Sequence, residues 1–193
     1  MSVEELRNML AQHFTRILRK HLSSYLRVRC FSALNKEETL NNVIFSHYGD
    51  SHKGLCFIFD ADILVPINER QSLTEVRYSS KSPSFEFTDE FDKFSQEKLY
   101  EIGCEMVSVK YQDWKYEEEW RLFADTEYPD KIHETMEFKP KALEGIVLGL
   151  KTTKEDEERI VNLVEKRSTK IAIYRATQVA GSYNLGFKNN RIF

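Results

Sequence analysis

Ten residues, Trp114 to Phe123 (WKYEEEWRLF), hold two tryptophans, a tyrosine, three glutamates and an arginine. Read as a strand, they alternate with period two. Tyr116, Glu118, Trp120 and Leu122 then share one face; Glu117, Glu119, Arg121 and Phe123 share the other. Two carboxylates and a guanidinium thus lie within reach of one another and of any ligand on that side. Read as a helix, the segment scatters both tryptophans around the axis and buries them poorly, so the strand is preferred. Glu119 and Glu117 become the candidate catalytic carboxylates. Arg121 and Tyr116 are candidate ligand contacts, and Trp114 is a candidate stacking group. The competing reading is a structural ion ladder, whose exposed pairs contribute about 0–1 kcal/mol each.

A second dense cluster is Ser46 to Gly54 (SHYGDSHKG), where imidazole, phenol, hydroxyl and ammonium groups adjoin an apolar run. His47 is the candidate for orientation or acid–base work. Tyr48, His52 and Lys53 are candidate ligand contacts, and Ser32 joins them from the end of an earlier strand. His47 and His52 are five apart, which does not suit one helix face, so no metal site is expected. The alternative is a plain connection whose side chains bond their own backbone, since Gly49-Asp50 and Lys53-Gly54 are turn formers. The central expectation is that this bend and the acidic-aromatic strand face one cleft.

Composition narrows the classes. A chain of 193 residues suits one domain: an N-terminal helix (1–25) carried on a mixed domain (26–193). Its 28 basic and 31 acidic residues are intermixed, at net charge −3, which gives no counterion-release basis for nucleic-acid binding. The three cysteines are odd in number and match no CxxC spacing; they read as small buried hydrophobes. No apolar run reaches the roughly 20 residues of a membrane span, and the acidic start MSVEELRNML is unlike a signal peptide. The expectation is a reduced, cytoplasmic, soluble protein.

The positioning elements follow from pattern. Leu6, Met9, Leu10, Phe14, Ile17, Leu18 and Leu22 mark an amphipathic helix over 3–24, opened by Ser2 and Glu5 as a capping box. Leu26 to Phe31 reads as a strand with Leu26, Val28 and Cys30 inward. A short helix is expected over 35–42, a buried central strand over Leu55 to Phe59, and a strand over Glu75 to Ser79. Thr88 caps a helix running to about residue 102, with Gly103 as its end or kink. A short strand is read at 136–138. Gly145 to Leu150, a helix capped by Thr153 and Asp156, and Lys170 to Ala176 make a βαβ unit. No phosphate-binding glycine loop occurs in it. The fold class is α/β or α+β: one mixed sheet of about six strands, flanking helices, an N-terminal amphipathic helix and a C-terminal βαβ unit.

Four pieces in this order resemble a bacterial family, domain of unknown function 2971: CFS (30–32), SHYGDSHKGLCFIFD (46–60), KYQDWKYEEEWRLF (110–123), and the GIVLG strand with its helix (145 to about 167). Members of that family usually open with a tyrosine-rich strand and an FNDPFE-like turn, which this sequence lacks. The family's name implies no assigned activity. A weaker likeness in element order is to ADP-ribosyltransferases. It implies NAD as a candidate cofactor, Glu119 as the carboxylate facing a cationic transition state, Glu117 as its partner and Tyr48 as a ring-stacking residue. Two functions remain open: an enzyme acting on a nucleotide or NAD-like small molecule, and a non-catalytic interaction protein in bacterial or phage defence or counter-defence. The second would use the N-terminal helix to dock a protein partner.

Overall fold

The computed structural model describes residues 2–34, 39–64, 71–84, 95–125, 138–188 and 191–193. In chain order the elements are α1 (Val3–Tyr25), β1 (Leu26–Ser32), α2 (Asn42–Tyr48), β2 (Leu55–Phe59), α3 (Ala61–Leu64), β3 (Gln71–Glu75), β4 (Arg77–Ser79), α4 (Gln96–Val107), β5 (Val109–Tyr111), β6 (Glu119–Asp125), β7 (Leu143–Leu148), α5 (Lys154–Glu165), β8 (Ala172–Arg175), β9 (Thr177–Gln178) and β10 (Leu185–Gly186). The class is α+β. The expected single sheet is replaced by four small ones among the described residues: β1-β6-β3, β4-β5, β2-β7-β8 and β9-β10. The chain divides into two compact units, residues 1–32 with 68–136 and residues 33–67 with 137–193.

In the first unit β6 is the middle of an antiparallel trio. It pairs with β1 from Leu26↔Asp125 to Ser32↔Glu119, and with β3 from Gln71↔Ala124 to Glu75↔Trp120. Leu122 and Phe123 point to opposite faces and both are buried, so β6 is covered on both sides. β4 and β5 run parallel beside it. The capping box forms as expected, with Glu5 N–H donating to Ser2 Oγ and Ser2 N–H to Glu5 Oε2. α1 then buries Phe14 and Leu18 against Ile102 and Met106 of α4. β1 departs from its expected facing: Leu26 is buried, but Val28 and Cys30 are exposed. α4 starts at an N-cap, Ser95, whose Oγ accepts from Lys98 N–H. It continues through Gly103 to Val107, so that glycine does not end it. The cap expected at Thr88 and the strand expected at 136–138 fall outside the described residues, apart from Phe138, which is not in a strand.

In the second unit the βαβ reading holds. β7 and β8 are parallel, joined by α5, whose N-cap Thr153 bonds Asp156 N–H. β7, not β2, is the central strand. β2 pairs only with β7 among the described residues and leaves Phe57 half exposed. One face of this sheet packs Ile146, Leu148 and Ile173 with Val164 of α5; the other packs Val147 with Phe45, Leu40, Leu185 and Phe187. Of the short helix expected over 35–42, residues 35–38 lie outside the described residues; 39–41 are not helical, and α2 begins at Asn42. Asn41 caps it, its Oδ1 accepting from Val43 and Ile44 N–H.

Candidate functional site

The acidic-aromatic segment is not one strand. Gln112–Glu117 forms a 3₁₀ turn, Glu118 takes a left-handed conformation (φ 43°, ψ 51°), and β6 starts only at Glu119. The turn curls the chain back, so Glu117 reaches Lys110 on β5, seven residues earlier. The two carboxylates still meet at one place, by a different route from the alternation expected of a strand.

That place is a buried ion cluster. Glu117 and Glu119 are each only 3% exposed. Lys110 Nζ donates to Glu117 Oε2 and, at 2.7 Å, to Glu119 Oε2. Arg121 Nε donates to Glu119 Oε1 at 2.7 Å, and its Nη1 donates to the Val107 carbonyl. The Glu119 N–H donates to the Tyr78 hydroxyl oxygen at 2.9 Å. Burial alone would raise the Glu119 carboxyl. Hydrogen bonds from Arg121, Cys30 and Lys110 outweigh it and hold the group at about 2. Burial opposes the Lys110 charge too, yet Glu117 and Glu119 keep that amine above its ordinary value. Two anions and two cations balance, so the cluster carries no net charge with which to attract an anion.

An aromatic ledge stands over it. Trp114 and Tyr116, on the 3₁₀ turn, are 39% and 37% exposed; their ring centres lie 6.0 Å apart with a 36° tilt. Lys110 Nζ sits 5.2 Å from the Trp114 ring centre, a cation–π distance. Across the strand pairing, Ser32 lies opposite Glu119 and Cys30 opposite Arg121. Of the residues singled out in the sequence, Glu117, Glu119, Arg121, Trp114, Tyr116 and Ser32 therefore belong to this unit. Lys110, Tyr78 and Cys30 complete the cluster and were not singled out. Lys110 opens the KYQDWKY stretch, which was the available signal. Tyr78 could not be found, because it is 41 residues from its partner. Cys30 is exposed as a residue, not the buried hydrophobe expected, while partial desolvation of its thiol and then Glu119 raise it.

His47, Tyr48, His52 and Lys53 lie in the other unit. His47 and Tyr48 end α2, with Tyr48 70% exposed and the two rings 6.5 Å apart. Then Asp50, Ser51 and His52 take positive φ in succession (47°, 52°, 71°). Such backbone is uncommon for residues with a Cβ. It is held by Gly54 N–H on the Gly49 carbonyl, Lys151 N–H on the His52 carbonyl, and Thr152 Oγ1 against the Lys53 and Gly54 carbonyls. The His52 ring meets Phe45 edge-on at 5.7 Å, and its Nδ1 is buried without a hydrogen-bond partner among the described residues. No group of three His, Cys, Asp or Glu among the described residues is arranged to hold a metal ion. Nor is any described helix long and apolar enough to cross a membrane.

Residues 44–122 match a family described as protein of unknown function (DUF2971). This is the family that the motifs resemble. The match includes the histidine turn, Tyr78, Lys110, both carboxylates and Arg121, and ends before β7. No curated protein and no solved structure matches the chain.

Proposed function

We propose that the first unit binds a nucleotide or NAD-like ligand, its flat ring lying on Trp114 and Tyr116 above the ion cluster. The observation that carries this reading is the pair of half-exposed rings on a turn anchored by buried charges. A face of that kind, fixed before binding, lowers the cost of ordering it around a ligand. Ser32, opposite Glu119, supplies a hydroxyl at the margin. In the second unit, taken by itself, the exposed Tyr48, together with His52 and Lys53, is proposed as a separate set of ligand contacts, with His47 for orientation or acid–base work.

The ADP-ribosyltransferase-like form of this reading assigns Glu119 one role. With a carboxyl held near 2, Glu119 is a poor general base at neutral pH. It stays ionised, but Lys110 and Arg121 offset its charge; in this reading the ligand displaces one of those cations before Glu119 faces an oxocarbenium-like cation as a glycosidic bond breaks. Both of its oxygens are engaged by cations, so it would stabilise charge rather than attack. Glu117 shares Lys110 and keeps that ammonium from neutralising Glu119 alone. Cys30, Cys56 and Cys104 form no disulfide, which fits a reducing, cytoplasmic setting.

Calorimetric titration with NAD, ADP-ribose and AMP tests the reading. At least one should bind, and Trp114→Ala should weaken it about tenfold or more, the scale of one lost stacking contact. The absence of heat with all three at millimolar concentration would overturn it. For catalysis, nicotinamide release from NAD should vanish in Glu119→Gln while binding persists. Unchanged turnover in a folded variant would remove the role.

A second reading, a non-catalytic interaction protein in bacterial or phage defence or counter-defence, is favoured by α1. Leu6, Met9, Leu10 and Ile17 are 40%, 51%, 49% and 39% exposed on that helix. Loss of a stably captured protein on Leu10→Glu, with ligand titrations silent, would select it over the first.

A further inference from the structure

We infer that Tyr78 is a specificity-determining residue of the candidate site, its hydroxyl donating to an uncharged oxygen of the ligand. This rests on the reading that a ring ligand lies on Trp114 and Tyr116, and it names the group which that ligand turns towards the ion cluster.

The place of Tyr78 follows from how the chain leaves β6. Pairing of β3 with β6 ends at Glu75↔Trp120. One step on, Val76 N–H donates to the Glu119 carbonyl at 2.9 Å. In a regular antiparallel ladder the Val76 carbonyl would accept from the Glu119 N–H in return. Here the chain turns into β4, and the Tyr78 hydroxyl oxygen takes that bond at 2.9 Å. A side chain thus stands in for a strand carbonyl.

The substitution leaves something over that a carbonyl would not. A phenol oxygen accepts and also donates. Its acceptor side is spent on Glu119 N–H, and among the described residues none accepts its proton. Tyr78 is partly buried. Its neighbour across the parallel β4–β5 pairing is Lys110, whose Nζ lies 2.7 Å from Glu119 Oε2 and 5.2 Å from the Trp114 ring centre. β4 also packs on the 3₁₀ turn that carries both rings. The donor therefore sits at the margin of the aromatic ledge.

Charge selects what it meets. Lys110 and Arg121 are already engaged by Glu117 and Glu119, so an anionic oxygen arriving here would face two carboxylates with no free cation in the cluster. Burial first, and then the Glu119 and Glu117 charges, raise the phenol against the Glu119 N–H and Lys110, so it remains a neutral donor at neutral pH. A neutral oxygen suits it. In a nucleotide that oxygen has two sources, a sugar hydroxyl or a carbonyl on the ring.

Calorimetric titration with AMP, its 2′-deoxy and 3′-deoxy forms, inosine monophosphate and purine riboside monophosphate tests this and separates the sources. For a sugar hydroxyl, one deoxy form should bind about fivefold more weakly than AMP. For a carbonyl, purine riboside monophosphate should bind about fivefold more weakly than inosine monophosphate. Either factor is the scale of one neutral hydrogen bond. In Tyr78→Phe, which keeps the ring, that ratio should fall to about one. A Tyr78 that only positions Glu119 would weaken every ligand alike and leave the ratio standing, which overturns the inference. A wild type that binds all of them equally also overturns it, and that measurement needs no variant. Failure of every one to bind would overturn the ligand-site reading itself, and the inference with it.

Discussion

Arg121 grips Glu119 from two residues along the same strand, Nε to Oε1 at 2.7 Å, while Lys110 holds the other oxygen of that carboxylate at the same distance. Neighbouring strand residues two apart share a face, so the arginine supplies an intrastrand clamp. Lys110 arrives from β5 and ties β6 to the 3₁₀ turn through Glu117. The carboxylate is thus a junction of three backbone segments as well as the candidate for charge stabilisation.

Removing that charge leaves two cations facing one another. Glu119→Gln keeps the shape and loses one anion, so Glu117 alone is left to offset the Lys110 and Arg121 charges. A buried pair broken in this way costs about 3–5 kcal/mol. Here Lys110 and Arg121 each keep some solvent contact, and we expect about 1–3 kcal/mol. Urea unfolding at neutral pH measures it. An unchanged midpoint would show that the cluster does not hold the fold.

The same carboxyl sets an acid limit. Its folded value of about 2 lies below its ordinary 4.5. Its contribution to stability is therefore complete above 4.5 and is lost as pH falls from there towards 2. Stability measured against pH should show the wild type and Glu119→Gln converging across that window and separated by a constant amount above it. A gap that stays constant down to pH 2 would contradict the assignment.

Cys30 reports on the cluster from outside. Burial raises its thiol first, the Glu119 hydrogen bond and charge add to this, and Arg121 and Lys110 oppose it. In Glu119→Gln the anion that raises this thiol is gone while both cations remain, so the thiolate fraction should rise and alkylation by iodoacetamide should accelerate. Mass spectrometry of Cys30 labelling over time would follow it. A slower rate would show that Glu119 is not the anion acting on this thiol.

In the second unit, Gly149 is where the histidine turn rests on the end of β7. A Cβ there would lie 2.1 Å from the His52 carbonyl oxygen, backbone against side chain with no room to yield. Gly149→Ala should cost about 3 kcal/mol, the upper range for overpacking. Gly181→Ala is the control. Its φ of +75° strains an alanine but nothing lies within 4 Å, so about 1 kcal/mol is expected. Thermal melts of the two variants compare them directly, and equal losses would dismiss the close approach.

What could be read in advance follows local periodicity. The α1 capping box depends on residues three apart, and the β7–α5–β8 unit on an unbroken apolar strand followed by a capped helix. Both signals are complete within a few residues. The facing of β1 was misread because alternation gives two faces without saying which is covered; Val28 and Cys30 proved exposed. β2 looked central for a similar reason, since apolar content alone does not distinguish an edge strand from its neighbour.

The residues around Glu119 divide in the same way. Type and spacing alone marked Glu117, Glu119, Arg121 and the two rings, because dense charge beside aromatics is visible in a linear chain. The 3₁₀ turn, the reversal at Glu118 and the partnership with Lys110 and Tyr78 were decided only when β4, β5 and β6 came together. Ion pairing in a buried place depends on three-dimensional distance and lost water, and neither is encoded in any short window. Chemistry was written into the sequence; its protonation state and its partners were set by packing.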